Sequence, residues 1–225
     1  DYLTNGDNDG TPFTILHFPD NTADSKQFTQ ELRFVTDITS NVKLMVGGYY
    51  SKLEMSTLEN RIVNLILAGV APPAATIRQQ NFWTQDSKIL AFFANADWKV
   101  TDRLTLSAGL RYTDDEKDFV ADRIQAPPFS PTFIGQLSTS TDDSHVTWDI
   151  SALWSANEDV NFYARVANGF RAPSIQGRLL FGDTISTADS ETVLSHELGV
   201  KADFWDNRAR LNFNLFHYSV YNQQL

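Results

Sequence analysis

Leu104-Thr105-Leu106-Ser107-Ala108-Gly109-Leu110-Arg111-Tyr112-Thr113 alternates without a break. Leu104, Leu106, Ala108, Leu110 and Tyr112 take one side, and Thr105, Ser107, Gly109, Arg111 and Thr113 the other. That period of two marks a β-strand with one apolar and one polar face. Val146 to Ser155 repeats it, with Val146, Trp148, Ile150, Ala152 and Trp154 on one face and only Leu153 out of place on the other. In His196 to Phe204 the apolar set is Leu198, Val200, Ala202 and Phe204, opposed by Glu197, Gly199, Lys201 and Asp203. Three charges on one strand face need water or each other.

Weaker versions of the pattern run over Phe28 to Val35, Val42 to Tyr50, Val160 to Ala167 and Arg210 to Leu215. Lys88 to Trp98 also reads as a strand, but both of its faces are rather apolar, so its orientation stays open. The pattern therefore predicts an all-β chain of about eight strands. Their connections alternate between short and long. Short ones fall near Asp37 to Asn41, Thr101 to Arg103, Asn157 to Asp159 and Asp206 to Arg208, each with an Asp or Asn suited to a tight turn. Long ones fall near Thr57 to Gln85, Asp114 to Asp143 and Phe170 to Leu194, with a short helix expected over Ile62 to Ala68. Loops of that length are rare between strands of a compact soluble domain. Tight turns at one end and long loops at the other are the plan of a transmembrane antiparallel β-barrel meander, with periplasmic turns and extracellular loops.

Composition narrows the function. The 225 residues carry 18 basic and 28 acidic side chains, a formal charge of -10 and no cysteine. An acidic chain without clustered Lys and Arg has no electrostatic grip on a phosphate backbone, so no nucleic-acid role is expected. Zero cysteine excludes a disulfide scaffold, a thiolate metal site and a cysteine nucleophile. A membrane-spanning helix needs roughly 20 apolar residues in a row, and no such run exists. The polar opening, Asp1 to Gly10, is not that of a signal peptide. On the apolar parity Tyr50, Tyr112 and Trp148 fall at the long-loop ends and Phe34, Trp98, Phe162 and Phe204 at the short-turn ends, as two interfacial girdles would.

Several stretches in order carry a resemblance. They are Gln30-Glu31-Leu32-Arg33-Phe34, Ala91 to Trp98 running into Thr101 to Leu106, Gly109-Leu110-Arg111-Tyr112-Thr113, Tyr163 through Gly169-Phe170-Arg171-Ala172-Pro173, and Glu197-Leu198-Gly199-Val200-Lys201. Together they resemble the barrel of TonB-dependent outer-membrane receptors, importers of iron chelates and other scarce nutrients in Gram-negative bacteria. The resemblance implies a barrel of roughly 22 strands, a plug domain and a segment engaging TonB. Residues 1–225 are then part of the β-barrel domain, an internal piece, with plug and TonB-binding segment outside this chain. The implied partners are the plug of the same receptor, the TonB energy-coupling complex, a ferric siderophore or other small nutrient, and outer-membrane lipid. Rival readings are a receptor for a carbohydrate or cobalamin, a small passive barrel with a structural or adhesion role, and a soluble ligand-binding barrel.

No enzyme activity, cofactor or metal site is expected. Ser144-His145 and Ser195-His196-Glu197 place nucleophile and base on adjacent strand residues, which point to opposite faces. The acidic group Asp114, Asp115, Glu116 and Asp118 lacks the order and the turning glycine of a calcium loop. Glu31, Arg33, Lys43, Arg111, Asp149, Arg165, Glu197, Lys201 and Asp203 form a mixed-sign set for the inner, plug-facing wall. Gly169 and Pro173 punctuate the end of a strand, which sets Phe170 and Arg171 near the barrel mouth. With Arg178, Phe181, Arg123, Phe129 and Phe133 they make up the candidate ligand contacts, since flat anionic chelates suit aromatic rings and the guanidinium fork.

Overall fold

In a computed structural model the chain is a strand meander. The structure describes residues 2–7, 15–64, 69, 76–125, 133–177, 184–206 and 208–224. Its strands are β1 (Tyr2–Asp7), β2 (Leu16–Thr39), β3 (Val42–Asn64), β4 (Thr76–Lys99), β5 (Leu104–Gln125), β6 (Phe133–Ser155), β7 (Val160–Arg171), β8 (Ser174–Gln176), β9 (Ser186–Ala188), β10 (Glu191–Phe204) and β11 (Ala209–Tyr221). Nine form one antiparallel sheet in the order β1-β2-β3-β4-β5-β6-β7-β10-β11, and β8 and β9 make a separate hairpin. All eight expected strands lie in the large sheet. The ninth, β1, falls in the polar opening stretch and pairs Tyr2 with Ala23 and Asp7 with His17.

The long loops are shorter than their sequence signal. Strands β2 to β6 run 22 to 24 residues, so much of Thr57 to Gln85 and of Asp114 to Asp143 is strand. Ile62 to Asn64, expected to open a helix, closes β3; residues 65–68 lie outside the described part. The register gives the physical reason. Cross-strand partners share a face, and on the even-numbered parity Leu32, Gly48, Phe92, Tyr112 and Val146 form one row. Two rows further from the short turns the same face reads Phe28, Lys52, Lys88, Glu116 and Asp142. The outer face is thus apolar near the short turns and charged above. There Lys52 beside Glu54 holds that carboxyl below the usual carboxylate range. Leu104 to Tyr112 rises about 20 Å at ~3.3 Å per residue and a tilt of roughly 40°, close to the ~25 Å apolar band of an outer-membrane barrel. Beyond it the apolar/polar contrast ends while hydrogen-bonded pairing continues.

Side-chain oxygens build the short turns. Asn157 Oδ1 accepts the amides of Asp159 (2.9 Å) and Val160 (2.8 Å), and Thr101 Oγ1 those of Arg103 (3.2 Å) and Leu104 (3.0 Å). In the connection between Phe204 and Ala209, Trp205 and Asp206 both adopt φ near +54°, and the Arg208 amide donates to the Trp205 carbonyl at 3.2 Å. The register also settles β4, whose Leu90, Phe92, Ala94, Ala96 and Trp98 share the face of Leu106 and Tyr112. Its opposite face buries Ala91 completely and sends the Phe93 ring beneath Gly47. A Cβ at Gly47 would meet that ring at 2.4 Å and the Leu32 carbonyl oxygen at 2.6 Å, so only glycine fits.

Candidate functional site

The odd-numbered face of β2 to β10 is the inner one. It curls around a hollow of about 420 Å³ lined by Arg33, Phe93, Asn95, Arg111, Asp149 and Arg165, drawn from five strands. One row across it reads Lys43, Asp97, Ser107, Ser151, Arg165 and Glu197, so charges of both signs flank a pair of hydroxyls. Ser107 Oγ donates to Asp97 Oδ1 at 2.6 Å, and Arg165 lies 3.8 Å from Asp149. Glu31 pairs with Arg33. Arg111 donates to Thr113 Oγ1 at 3.0 Å while its guanidinium stands over the Tyr49 and Phe93 rings at 5.5 and 5.8 Å. Nearer the turns the Tyr163 hydroxyl donates to Glu197 at 2.6 Å, Lys201 lies 5.7 Å from the Tyr163 ring, and Arg210 holds Asp203 with two nitrogens at 2.5 and 2.9 Å. All nine residues of the expected lining stand on this face. Eight of them take part in ion pairs, a hydroxyl–carboxylate hydrogen bond or cation–π contacts.

The acidic stretch of β5 is divided by the pleat. Asp114, Glu116 and Asp118 share the outer parity, while Asp115 is buried inside and paired with Lys117 at 2.5 Å.

The described members of the expected ligand contacts do not form one cluster. Phe170, next to last in β7, stacks on His145 with centroids 4.9 Å apart, and Arg171 is exposed beside it, in register with Glu191. Arg123 is no loop residue: it lies within β5, 3% exposed, opposite Gly135. Gly135 and His145 are ten residues apart on β6, about 33 Å along a strand, so Arg123 and the Phe170–Arg171 pair do not form one cluster. Phe133 opens β6, and Phe129, Arg178 and Phe181 lie outside the described residues.

Two features have only faint sequence signals. The ladder between β6 and β7 stops at Asp149↔Ala167, where the Asn168 carboxamide replaces a peptide by accepting from the Trp148 amide (2.6 Å) and donating to the Val146 carbonyl (3.4 Å). β7 stays paired with β10 as far as Arg171, after which the chain leaves the wall and crosses the inner face as the β8–β9 hairpin. Ile175 and Ile185 pack on Phe119 and Ala121, next to Trp83 and Leu137, and Lys117 donates to the Pro173 carbonyl at 2.9 Å. A Cβ at Gly177 would strike the Phe119 ring at 2.3 Å. The signal in the sequence is parity, because Phe119 and Ala121 continue the odd series of Arg111 and Thr113. The second feature lies further toward the mouth, where the inner face buries Arg61, Gln79 and Asn81 beside Arg123.

The model of the TonB-dependent receptor-like β-barrel family matches residues 1–225. Among solved structures the fold is similar to the ferric yersiniabactin uptake receptor FyuA from Yersinia pestis, at 18% identity and a TM-score of 0.76, over 95% of this chain and 31% of that one. It is also similar to the siderophore receptor PiuA from Acinetobacter baumannii, at 18% identity and a TM-score of 0.60, over 93% of this chain and 34% of that one. The chain thus spans about a third of the length of these two structures.

Proposed function

Since the chain belongs to the TonB-dependent receptor β-barrel family, we propose that it forms part of the wall of a Gram-negative outer-membrane receptor that takes up a ferric siderophore. Uptake proceeds by TonB-dependent displacement of a plug, with no bond made or broken by the wall. Short turns face the periplasm and the tall ends of β2 to β6 stand outside the cell. The observation that carries this reading is the inner face, where charges of both signs, hydroxyls and amides surround the 420 Å³ hollow. A folded plug docks on such a surface by hydrogen bonds and ion pairs, whereas a selective open pore favours one sign of charge. Three arginines around the hollow and a fourth, Arg171, at the end of β7 suit an anionic chelate. The choice of a ferric siderophore is supported by the two structures of similar fold, one named a ferric yersiniabactin uptake receptor and the other a siderophore receptor.

The test is growth and radioactive-iron uptake in a strain lacking the receptor gene, supplied with single ferric chelates. Loss of uptake for one chelate, restored by the gene, is expected. Unchanged uptake of every chelate, with loss of a carbohydrate or cobalamin instead, would overturn the siderophore assignment.

A further inference from the structure

The outer face carries one hollow that the import reading leaves unused. It is a furrow of about 430 Å³ across β6, β7, β10 and β11. Ala152 and Ala164 are direct cross-strand partners, in one row with Leu198 and Leu215, and their small side chains leave the depression. Trp154 and Phe162, stacked with centroids 5.6 Å apart, wall its foot. These two residues flank the turn 156–159, where Glu158 and Asp159 are exposed. On the neighbouring turn the exposed Arg103 guanidinium reaches the Ala156 carbonyl at 3.4 Å. The apolar slot therefore ends beside turns that carry exposed Arg103, Glu158 and Asp159.

We propose that this furrow holds one acyl chain of a zwitterionic phospholipid in the leaflet nearest the short turns, its phosphate at Arg103 and its ammonium at Glu158 and Asp159. The inference rests on the membrane-barrel reading above. The furrow is continuous with the apolar outer band, so an acyl chain is the occupant already beside it. The two-sign foot fits a headgroup that carries both charges; a singly anionic headgroup would meet the two carboxylates. A chain lying in a slot between four strands keeps contacts on three sides, where a chain against a flat wall has one, and dispersion contacts add over its length.

The experiment uses the full-length receptor in detergent, equilibrated with phosphatidylethanolamine or phosphatidylglycerol of identical chains and ejected intact into a mass spectrometer. One tightly retained phosphatidylethanolamine is expected, favoured over phosphatidylglycerol by at least about fivefold. Ala152→Phe with Ala164→Phe should abolish that retention, and Glu158→Lys with Asp159→Lys, which leaves the furrow untouched, should remove the headgroup preference. Equal retention by the furrow-filling variant overturns the proposal, as does an unchanged preference in the turn variant. A receptor dimer that the furrow-filling variant dissolves would make a second copy the occupant and also overturn it. A wild-type receptor that fails to insert into vesicles sinks the membrane reading itself, which separates the two failures.

Discussion

Arginine scanned along β5 should trace the depth of the membrane. The outer-facing series is Leu104, Leu106, Ala108, Leu110 and Tyr112, in register with β6 residues Trp154 to Val146. Its centre is Ala108, and each step of two residues changes depth by about 5 Å at a tilt of roughly 40°. A lipid-facing Arg costs about 2–4 kcal/mol at the midplane and about 0–1 near the interfaces. Ala108→Arg should therefore lose about 3 kcal/mol, Leu106→Arg about 2, and Leu104→Arg under about 1. The odd series behaves differently. Ser107→Arg enters the inner face beside the Asp97 carboxylate that Ser107 now contacts at 2.6 Å, and should change stability by less than about 1 kcal/mol. The assay is a denaturant titration of full-length receptor variants into phospholipid vesicles. A profile peaking on odd positions, or equal losses on both parities, would refute the face assignment.

Gly47→Ala should cost about 1–3 kcal/mol, because the added carbon meets a backbone oxygen that cannot move aside; Gly169→Ala, with nothing within 4 Å, should be near neutral in the same titration. Lys117→Met strips the partner from buried Asp115 and the donor from the Pro173 carbonyl, so limited proteolysis should cut within 172–190 several-fold faster, and an unchanged rate would show that the hairpin does not depend on that tether. An epitope inserted near Phe129 should be labelled on intact cells and one at Asn157 should not; labelling at Asn157 without permeabilisation would invert the topology. Arg171→Ala should lower chelate affinity several-fold, equivalent to about 1–3 kcal/mol, with partial rescue by Lys, which keeps the charge and loses the fork; normal affinity at normal surface abundance would leave Arg171 a rim residue only.

The fold was legible where the two faces meet different media. In β5, β6 and β10 the two faces differ sharply in polarity, so the alternation is clean, and strand positions and parity follow from it. In β4 the contrast fades because Phe93 and Ala91 are packed inside against β3 while Phe92 and Leu90 face out, so sequence pattern leaves its orientation undecided. Above Tyr112 the outer face turns charged, and the inner face mixes polar residues with the Phe119 and Ala121 cluster. The strands go on without a pattern to reveal them, and the loops look longer than they are. The β8–β9 hairpin has strands of three residues, too short for any period, and its place is set by Phe119, nearly sixty positions earlier in the chain. The inner wall is readable by parity alone, whereas the assembly of a mouth depends on which long segments fold inward. That is why Arg123, expected among loop residues, lies buried within a strand.

The proposed energised import through this wall is tested by surface binding and uptake of the ferric chelate in paired strains that keep or lack TonB. Binding to the cell surface should be the same in both strains, and internalised radioactive iron should appear only where TonB is present. Equal internalisation in the two strains would contradict the account, because a wall that passes its cargo without TonB belongs to a passive pore.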